Sequence, residues 1–378
     1  MNLFECHRIY KKKKFLSFIN DKEKRFKFLI IRNGLIGDIV FITPLLKRIG
    51  KTFINSEIEV LVSYNSREVL INFPSVTKIH TIKPDINLIK QVFFYLKFKK
   101  KKYDILLNQE VNTHYSIMST LVGAKFKIGF RNKLDFLLDI VYPREGHVVP
   151  AELRSVKDWT ANFGVDSTHI ELSSQEINDA REMLYRYNIT LEDFIIIFNV
   201  GCSQINSIRH WENYKIAKLA DILINRYNSK VIFTGVIKDM ADTEIVMNLM
   251  KKEAVSVVGN TSVRMLCALI KHAKIVIGPD TGSLHIANAL GVPVVMYIGE
   301  ADPSDTGPFD ITGDSIVVHS ELDCIPCRFS VPKPNRWIQC KSQRPALCMR
   351  KLEVDDVLKA VETVIERRYK TKSNVRVS

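Results

Sequence analysis

Nothing in this 378-residue chain approaches the roughly twenty consecutive apolar residues that a membrane-crossing helix requires. Its longest apolar runs, such as that inside "GVPVVMYIG" (291–299), are far shorter, so no bilayer-spanning helix is expected. The first residues are basic, but no apolar core and small-residue cleavage site follow them. No export signal is therefore expected, and the chain reads as cytoplasmic. Cysteine is sparse and odd in number, with seven in all. That count in a long chain without an export signal argues against a disulfide framework. Acidic residues are also in deficit: 41 stand against 55 Lys and Arg, for a formal charge of +14. No nucleic-acid signature, neither a C₂H₂ spacing nor an RNP octamer, accompanies that positive charge.

The charge is unevenly placed. Residues 1–27 hold nine Lys or Arg against three acids, "KFKKKKYD" covers 97–104, and "ERRYKTKSNVRVS" closes the chain. Two readings stay open: solvated surface with loose ends, or attraction to an anionic membrane, a polyanion or an acidic substrate. Aromatic residues interleave with lysines in "FYLKFKKKKY" (94–103), which favours an interface with lipid or another polyanion.

What is present is a regular alternation of short apolar runs and longer helical stretches, the pattern of parallel sheets covered by helices. Strands are expected at 28–33, 57–63, 76–82, 103–108 and 125–130, with helices at 39–50, 65–72, 87–99 and 114–122. Pro and Gly in "VYPREGHVVPAEL" (141–153) interrupt the rhythm, after which 152–163 and 174–187 look helical. A second series follows, with strands at 194–201, 230–235, 254–259, 274–280 and 292–299 and helices at 212–226, 239–251, 262–272 and 283–290. The length and the two series together predict an α/β protein of two doubly wound units in tandem. Ligands bind beyond the carboxyl ends of the strands in such folds, which predicts a cleft between the two units.

Three strand-to-helix turns carry chemistry. "FLIIRNGLIGDIVFITPLLKRIG" (28–50) places a single carboxylate, Asp38, where a glycine-bearing turn becomes a helix. A helix cap and a catalytic acid are both compatible with that position. "IGPDTGSLHIANALGVP" (277–293) ends a strand at Gly278 and opens a helix through Asp280, Thr281, Gly282 and Ser283. Backbone N–H groups and the helix dipole make such a turn an anion site, and Gly282 permits close approach to a phosphate. Ser283 or Thr281 serves either as a cap or as a hydroxyl donor to phosphate. His285, in the first helical turn, either faces that ligand or is a packed residue. "NVGCSQINSIRHW" (199–211) offers Ser203, Ser207 and Arg209 to phosphate oxygens, arginine in bidentate fashion, with Trp211 as a core anchor. In "FTGVIKDMADTE" (233–244) Asp239 is read as a dipole-stabilised helix acid ahead of a ribose acceptor.

The segments "IIRNGLIGDIVFITPLLKRI" and "GPDTGSLHIANALGVPVVMYIGEADPSDTGPF" together resemble glycosyltransferase family 9, the heptosyltransferases of the lipopolysaccharide inner core. The resemblance runs from about residue 27 to 365 and includes the cysteine-bearing end, "CIPCRFS…QC…ALCMRKLEVDDVLKAV". It implies a GT-B fold of two Rossmann-like domains facing across a cleft. It also implies metal-independent, inverting transfer of a heptose from ADP-heptose to a lipid A-linked acceptor of the lipopolysaccharide core. On that resemblance Asp38 is the general base, Gly34 and Gly37 clear space for acceptor and donor, and Asp280, Thr281 and Gly282 hold the donor diphosphate near His285. Arg209 stands where the family has a lysine, two residues before a tryptophan, which keeps the charge and changes the geometry. The family's G-P-T-D-P is here "GEADP" (299–303), so Glu300 and Ala301 are departures, and an extra carboxylate there is expected to bear on donor choice.

The implied organisation is a basic leader (1–26), an acceptor-binding domain (27–170), a nucleotide-sugar-binding domain (171–355), and a C-terminal helix with a basic tail (356–378). No cofactor is expected, the donor being a substrate. The expected partners are a nucleotide sugar, a lipid-linked saccharide and an anionic membrane surface met by the basic patches, with no nucleic acid and a station at the inner membrane. Cys324, Cys327, Cys340 and Cys348 have the spacing of one half of a Cys₄ zinc site and a loose second half. Reduced thiols are expected ahead of zinc. Two other readings remain: a nucleotide-sugar epimerase or hydrolase of the same fold, and a polyanion-binding protein with a degenerate sugar-nucleotide fold.

Overall fold

Continuous apolar runs become strands buried on both faces. β1 (Lys27–Arg32), "KFLIIR", has every residue but the first buried. The structure, a computed structural model, describes residues 3–164, 167–201, 209–327 and 347–370. The chain divides into two compact units, Met1–Glu171 and Leu172–Ser378.

In order, the first unit contains α1 (Leu3–Phe18), β1, α2 (Ile36–Phe41), α3 (Thr43–Thr52), β2 (Glu57–Ser63), β3 (Lys78–Ile82), α4 (Leu88–Leu96), β4 (Tyr103–Asn108), α5 (Thr113–Thr120), β5 (Ala124–Phe130), β6 (Ile140–Tyr142) and α6 (Val148–Arg154). Its six strands are all parallel, in the order β3-β2-β1-β4-β5-β6. The second unit contains α7 (Ser174–Arg186), β7 (Phe194–Asn199), α8 (Asn213–Tyr227), β8 (Ser229–Thr234), α9 (Met240–Leu249), β9 (Val255–Ser256), α10 (Val263–His272), β10 (Ile275–Pro279), α11 (Gly282–Ala289), β11 (Val294–Tyr297), α12 (Pro303–Thr306), β12 (Ile316–Val318), α13 (Leu347–Lys351) and α14 (Val354–Ile365). Its strands, again all parallel, run β12-β11-β10-β7-β8-β9. Counted within each unit, both sheets have the order of a dinucleotide-binding fold, with the first strand central.

Several expectations are corrected. The expected helix 39–50 is two helices that part at Ile42, with Pro44 in the first turn of α3. Proline has no N–H to donate there, which suits a helix start and breaks a continuous ladder. The helix expected at 152–163 begins earlier and ends at Arg154. Pro150, read as an interruption, sits in the first turn of α6, where a missing N–H costs nothing. Residues Tyr64–Leu70 form a 3₁₀ rather than an α-helix. The short strands β6 and β12 were not expected, since three residues leave no periodic signal.

The largest difference lies in the leader. Residues 3–18, read as loose basic chain or as a free anion-seeking segment, form α1, and its apolar side packs on the first unit. The Phe15 side chain is buried between Phe126 and Trp159, with ring centroids at 5.3 Å and 5.5 Å. Three of its cations are ion-paired within the unit: Arg8 to Asp135 at 2.6 Å, Lys11 to Asp139 at 2.9 Å and Lys12 to Asp158 at 2.6 Å. Phe18, Phe26, Phe28 and Phe53 extend the same aromatic cluster.

In the second unit α13 and α14 close the core. Lys215, with 2% of its side chain exposed, donates to the carbonyls of Arg350 at 2.6 Å and Leu352 at 3.0 Å. Trp211 Nε1 donates to the same Leu352 carbonyl at 2.9 Å. Residues 371–378, the last part of the basic tail, lie outside the described residues.

Candidate active site

At the carboxyl end of β1 the chain turns through Asn33 and Gly34 into α2. Asp38 is the third residue of α2, and one of its oxygens accepts the Leu35 N–H at 2.9 Å. The other accepts Nη2 of Arg32 at 2.7 Å. The cap and the ion pair use one lone pair of each oxygen, and 37% of the Asp38 side chain remains exposed. Gly34 is required for this arrangement: a Cβ there would lie 2.3–2.4 Å from the Asp38 side chain. The space at Gly34 is therefore filled by Asp38 itself rather than kept for a ligand, and Gly37 is buried within α2.

Arg32 is the hub of a polar cluster that was not foreseen. Its side chain is 6% exposed and also approaches Glu152 at 3.5 Å and Glu110 at 4.0 Å. Its Nη1 donates to the Gln109 carbonyl at 2.8 Å. Glu110 in turn accepts the Asn33 N–H at 2.7 Å. Burial works to lower the Arg32 pKa, but Glu152, Asp38 and Glu110 outweigh it and hold the guanidinium charged. Burial pushes the fully enclosed Glu152 up to about 7, against the attraction of Arg32 and Arg144. Glu110 is likewise raised by burial. These three residues carried weak signals: Arg32 is a charge ending an apolar strand, Glu110 lies two residues past β4, and Glu152 sits in "VVPAELR".

In the second unit the D-T-G turn lies between the end of β10 and the start of α11. Thr281 occupies the N-cap position, but its hydroxyl makes no cap bond. It meets Asn199 Oδ1 at 3.4 Å and Ser283 Oγ at 2.9 Å instead. His285 is 5% exposed, with Nε2 at 3.1 Å from Asp280 Oδ1. It is a buried partner of Asp280. Arg209 donates from Nη1 to the Asp280 carbonyl at 3.1 Å and from Nε to Glu300 at 2.8 Å. Glu300 has only 2% of its side chain exposed. Glu300 thus holds Arg209 against the turn.

Asp239 shows the same capping chemistry in the second unit. It accepts the Val236 N–H at 2.9 Å, and a Cβ on Gly201 or Gly235 would meet it at 2.0 Å or 2.7 Å. It is the buried helix acid that the sequence favoured. Ser203, Ser207 and Cys340 lie outside the described residues. Cys324, Cys327 and Cys348 are each half-buried. Among the described residues no group of three or more His, Cys, Asp or Glu is placed to hold a metal ion.

Residues 94–335 match the model of glycosyltransferase family 9 (heptosyltransferase). Among curated proteins the chain is 24% identical over 308 residues to the lipopolysaccharide core heptosyltransferase OpsX of Haemophilus influenzae, covering 77% of this chain and 84% of the relative. Among solved structures it superimposes on a family 9 glycosyl transferase from Veillonella parvula with a TM-score of 0.77 at 19% identity, over 90% of this chain and 97% of that one. It also superimposes on the E. coli ADP-heptose lps heptosyltransferase II with a TM-score of 0.70 at 17% identity, over 90% and 99%. Two Rossmann-like units of this order are those of the GT-B class. With the family model spanning most of the chain and the D-T-G turn in place after β10, this protein belongs to glycosyltransferase family 9, the heptosyltransferases.

Proposed function

We propose that this protein transfers a heptose with inversion from ADP-heptose to a lipid A-linked acceptor of the lipopolysaccharide core, with Asp38 as general base. The observation that carries the reading is the half-exposed Asp38 carboxylate, held in one orientation by Leu35 and Arg32 at the carboxyl end of β1. Inversion needs a single base to take the acceptor hydroxyl proton while the anomeric carbon is attacked from the face opposite the leaving group. The remaining lone pairs of Asp38 suit that task.

The leaving nucleotide diphosphate needs fixed positive groups. In this reading the backbone N–H groups opening α11, with Thr281, Gly282 and Ser283, meet the phosphates. Arg209 adds charge beside them. Asp280 and His285 shape the turn from behind. The donor is a substrate, and the proposed chemistry calls on no resident cofactor. The similarity to a lipopolysaccharide core heptosyltransferase and to an ADP-heptose lps heptosyltransferase supports the acceptor and the donor. Family membership also favours transfer over the epimerase, hydrolase or binding-protein readings. A lipid-anchored acceptor places the enzyme at the cytoplasmic face of an anionic membrane, which the lysine-rich surface of the first unit suits.

The test is product formation. Purified protein is incubated with ADP-heptose and a deacylated core oligosaccharide, and ADP release is followed together with the mass of the saccharide. A mass gain of one heptose with matching ADP release is expected. Transfer only from a GDP- or UDP-sugar would overturn the donor, and release of ADP without a glycosylated product would overturn transfer.

A further inference from the structure

Among the described residues α4 is covered on one side only. Tyr95 and Phe98 face the sheet and are buried with Leu29, Ile31 and Leu61. On the opposite side Ile89 and Phe93, one turn apart, are 70% and 64% exposed, and Leu88 in the first turn is 59% exposed. Lys90, Lys97, Lys99 and Lys100 are exposed around them. Unlike Arg8, Lys11 and Lys12 of α1, these four lysines have no ion-pair partner among the described residues. The exposed surface of α4 is therefore apolar along its middle and cationic at its margins.

We infer that the outward face of α4 is the element that seats the first unit on an anionic lipid bilayer, with Ile89 and Phe93 entering the headgroup boundary and the flanking lysines meeting lipid phosphates. A short helix with exposed apolar side chains between unpaired cations matches the chemistry of an interfacial helix. A solvated helix gains nothing from exposing Ile and Phe, and an acidic partner alone would use the lysines but not the apolar stripe. Of the leader's cations, Arg8, Lys11 and Lys12 do not share this role, because α1 pairs them with Asp135, Asp139 and Asp158.

The face is also coupled to the site. Tyr95 accepts from Asn33 Nδ2 at 3.2 Å, and Asn33 stands next to Gly34 in the Asp38 turn. Gln91 is joined to His114 of α5 at 2.9 Å. α4 thus fixes the Asp38 turn relative to the bilayer plane, so that a saccharide rooted in that bilayer is met at a set height. This inference rests on the proposed lipid-anchored acceptor for its purpose, but the binding itself can be tested apart from it.

The experiment is vesicle sedimentation of the full chain with phosphatidylcholine alone and with an equal mixture of phosphatidylcholine and phosphatidylglycerol, at low and high salt. The native protein is expected to partition to the anionic vesicles and to be released by salt. The double variant I89S/F93S and the double variant K90E/K97E are each expected to lose binding about tenfold or more. Both are expected to keep native activity on the deacylated acceptor and to lose it on acceptor embedded in vesicles. Equal binding by native and variant proteins would overturn the inference. So would native binding to neutral vesicles that equals the anionic result, or a native dimer that I89S/F93S converts to monomer. If the native protein binds as described but transfers no heptose to the soluble acceptor, the functional proposal fails and the membrane face stands.

Discussion

Arg32 and Asp38 meet through a single 2.7 Å contact, from Nη2 to Oδ1, and the same guanidinium lies within 4.0 Å of Glu110 and Glu152. Asp38 therefore does not hold its cation alone. The cap reading and the base reading of Asp38 are both satisfied, since the Leu35 N–H uses the other oxygen. Asp239 provides the comparison, because it makes the equivalent cap to Val236 but is buried, whereas 37% of the Asp38 side chain stays exposed. What sets Asp38 apart is that access.

Asp38→Asn keeps an amide oxygen that can accept the Leu35 N–H, but it has no basic carboxylate. Transfer is expected to fall by about 10²–10⁴-fold, the usual contribution of a general base, with ADP affinity unchanged. Asp38→Ala should lose transfer equally and also about 1 kcal/mol of stability, the value of a helix cap. Calorimetric titration with ADP beside the transfer assay separates the two roles. Retention of activity in Asp38→Asn would remove the base.

Glu152 makes the protein's stability depend on pH near neutrality. Its folded pKa is raised to about 7 by burial, above the value of 4.5 for an ordinary glutamate. Between those two values the unfolded chain has released this proton while the folded chain still holds it. The contribution of Glu152 to stability therefore falls as pH rises from about 4.5 to 7 and levels off above. In Glu152→Gln that decline should vanish, which urea titrations across the window will show. The same variant should lack an inflection near pH 7 in the pH–rate profile of transfer, because ionised Glu152 draws Arg32 away from Asp38. An unchanged slope and profile would place Glu152 outside this linkage.

α1 carries a prediction of its own. Phe15 is fully buried against Phe126 and Trp159, so Phe15→Ala should cost about 3–5 kcal/mol, the range for a large core truncation. Replacement of Lys11 or Lys12, whose ion pairs are partly exposed, should cost less than about 1 kcal/mol. Denaturant melts of the three variants decide whether the segment is core or appendage. A cost near zero for Phe15→Ala would make it an appendage.

The sheets were legible because β1, β7 and β10 are apolar runs between turn residues, and such runs have few other places to go. α1 was not, because "YKKKKF" gives a charge count and hides the inward-facing Phe15 and, beyond it, Phe18, which dock it. The turns of the site were legible by residue type, with Asp38 and the D-T-G segment standing out. Their surroundings were not. Arg32, Glu110 and Glu152 are far apart in sequence and meet only because β1 and β4 are neighbours and α6 returns over them. His285 and Glu300 illustrate the same limit: the sequence leaves His285 open between a ligand-facing and a packed residue and reads Glu300 as bearing on the donor, and each is a buried partner of another side chain in the fold.

Glu300 and Arg209 give the last prediction. The contacts that hold Arg209 include two in different directions, Nε to the Glu300 carboxylate and Nη1 to the Asp280 carbonyl. Lysine presents one ammonium group and cannot make both, so Arg209→Lys should weaken ADP binding by about tenfold. Arg209→Ala should do the same and also destabilise the second unit by about 2 kcal/mol or more, because the Glu300 carboxylate stays buried without this cation. Glu300→Gln acts in the opposite sense. The amide still accepts from Nε, but it no longer neutralises the guanidinium, and more of the Arg209 charge is left to a diphosphate. ADP binding is expected to tighten in Glu300→Gln, and the preference for ADP over AMP to increase, because the second phosphate carries the added attraction. If Glu300→Gln instead weakens ADP binding, the carboxylate serves to position Arg209 rather than to restrain its charge, and the double variant R209K/E300Q should then bind no worse than R209K.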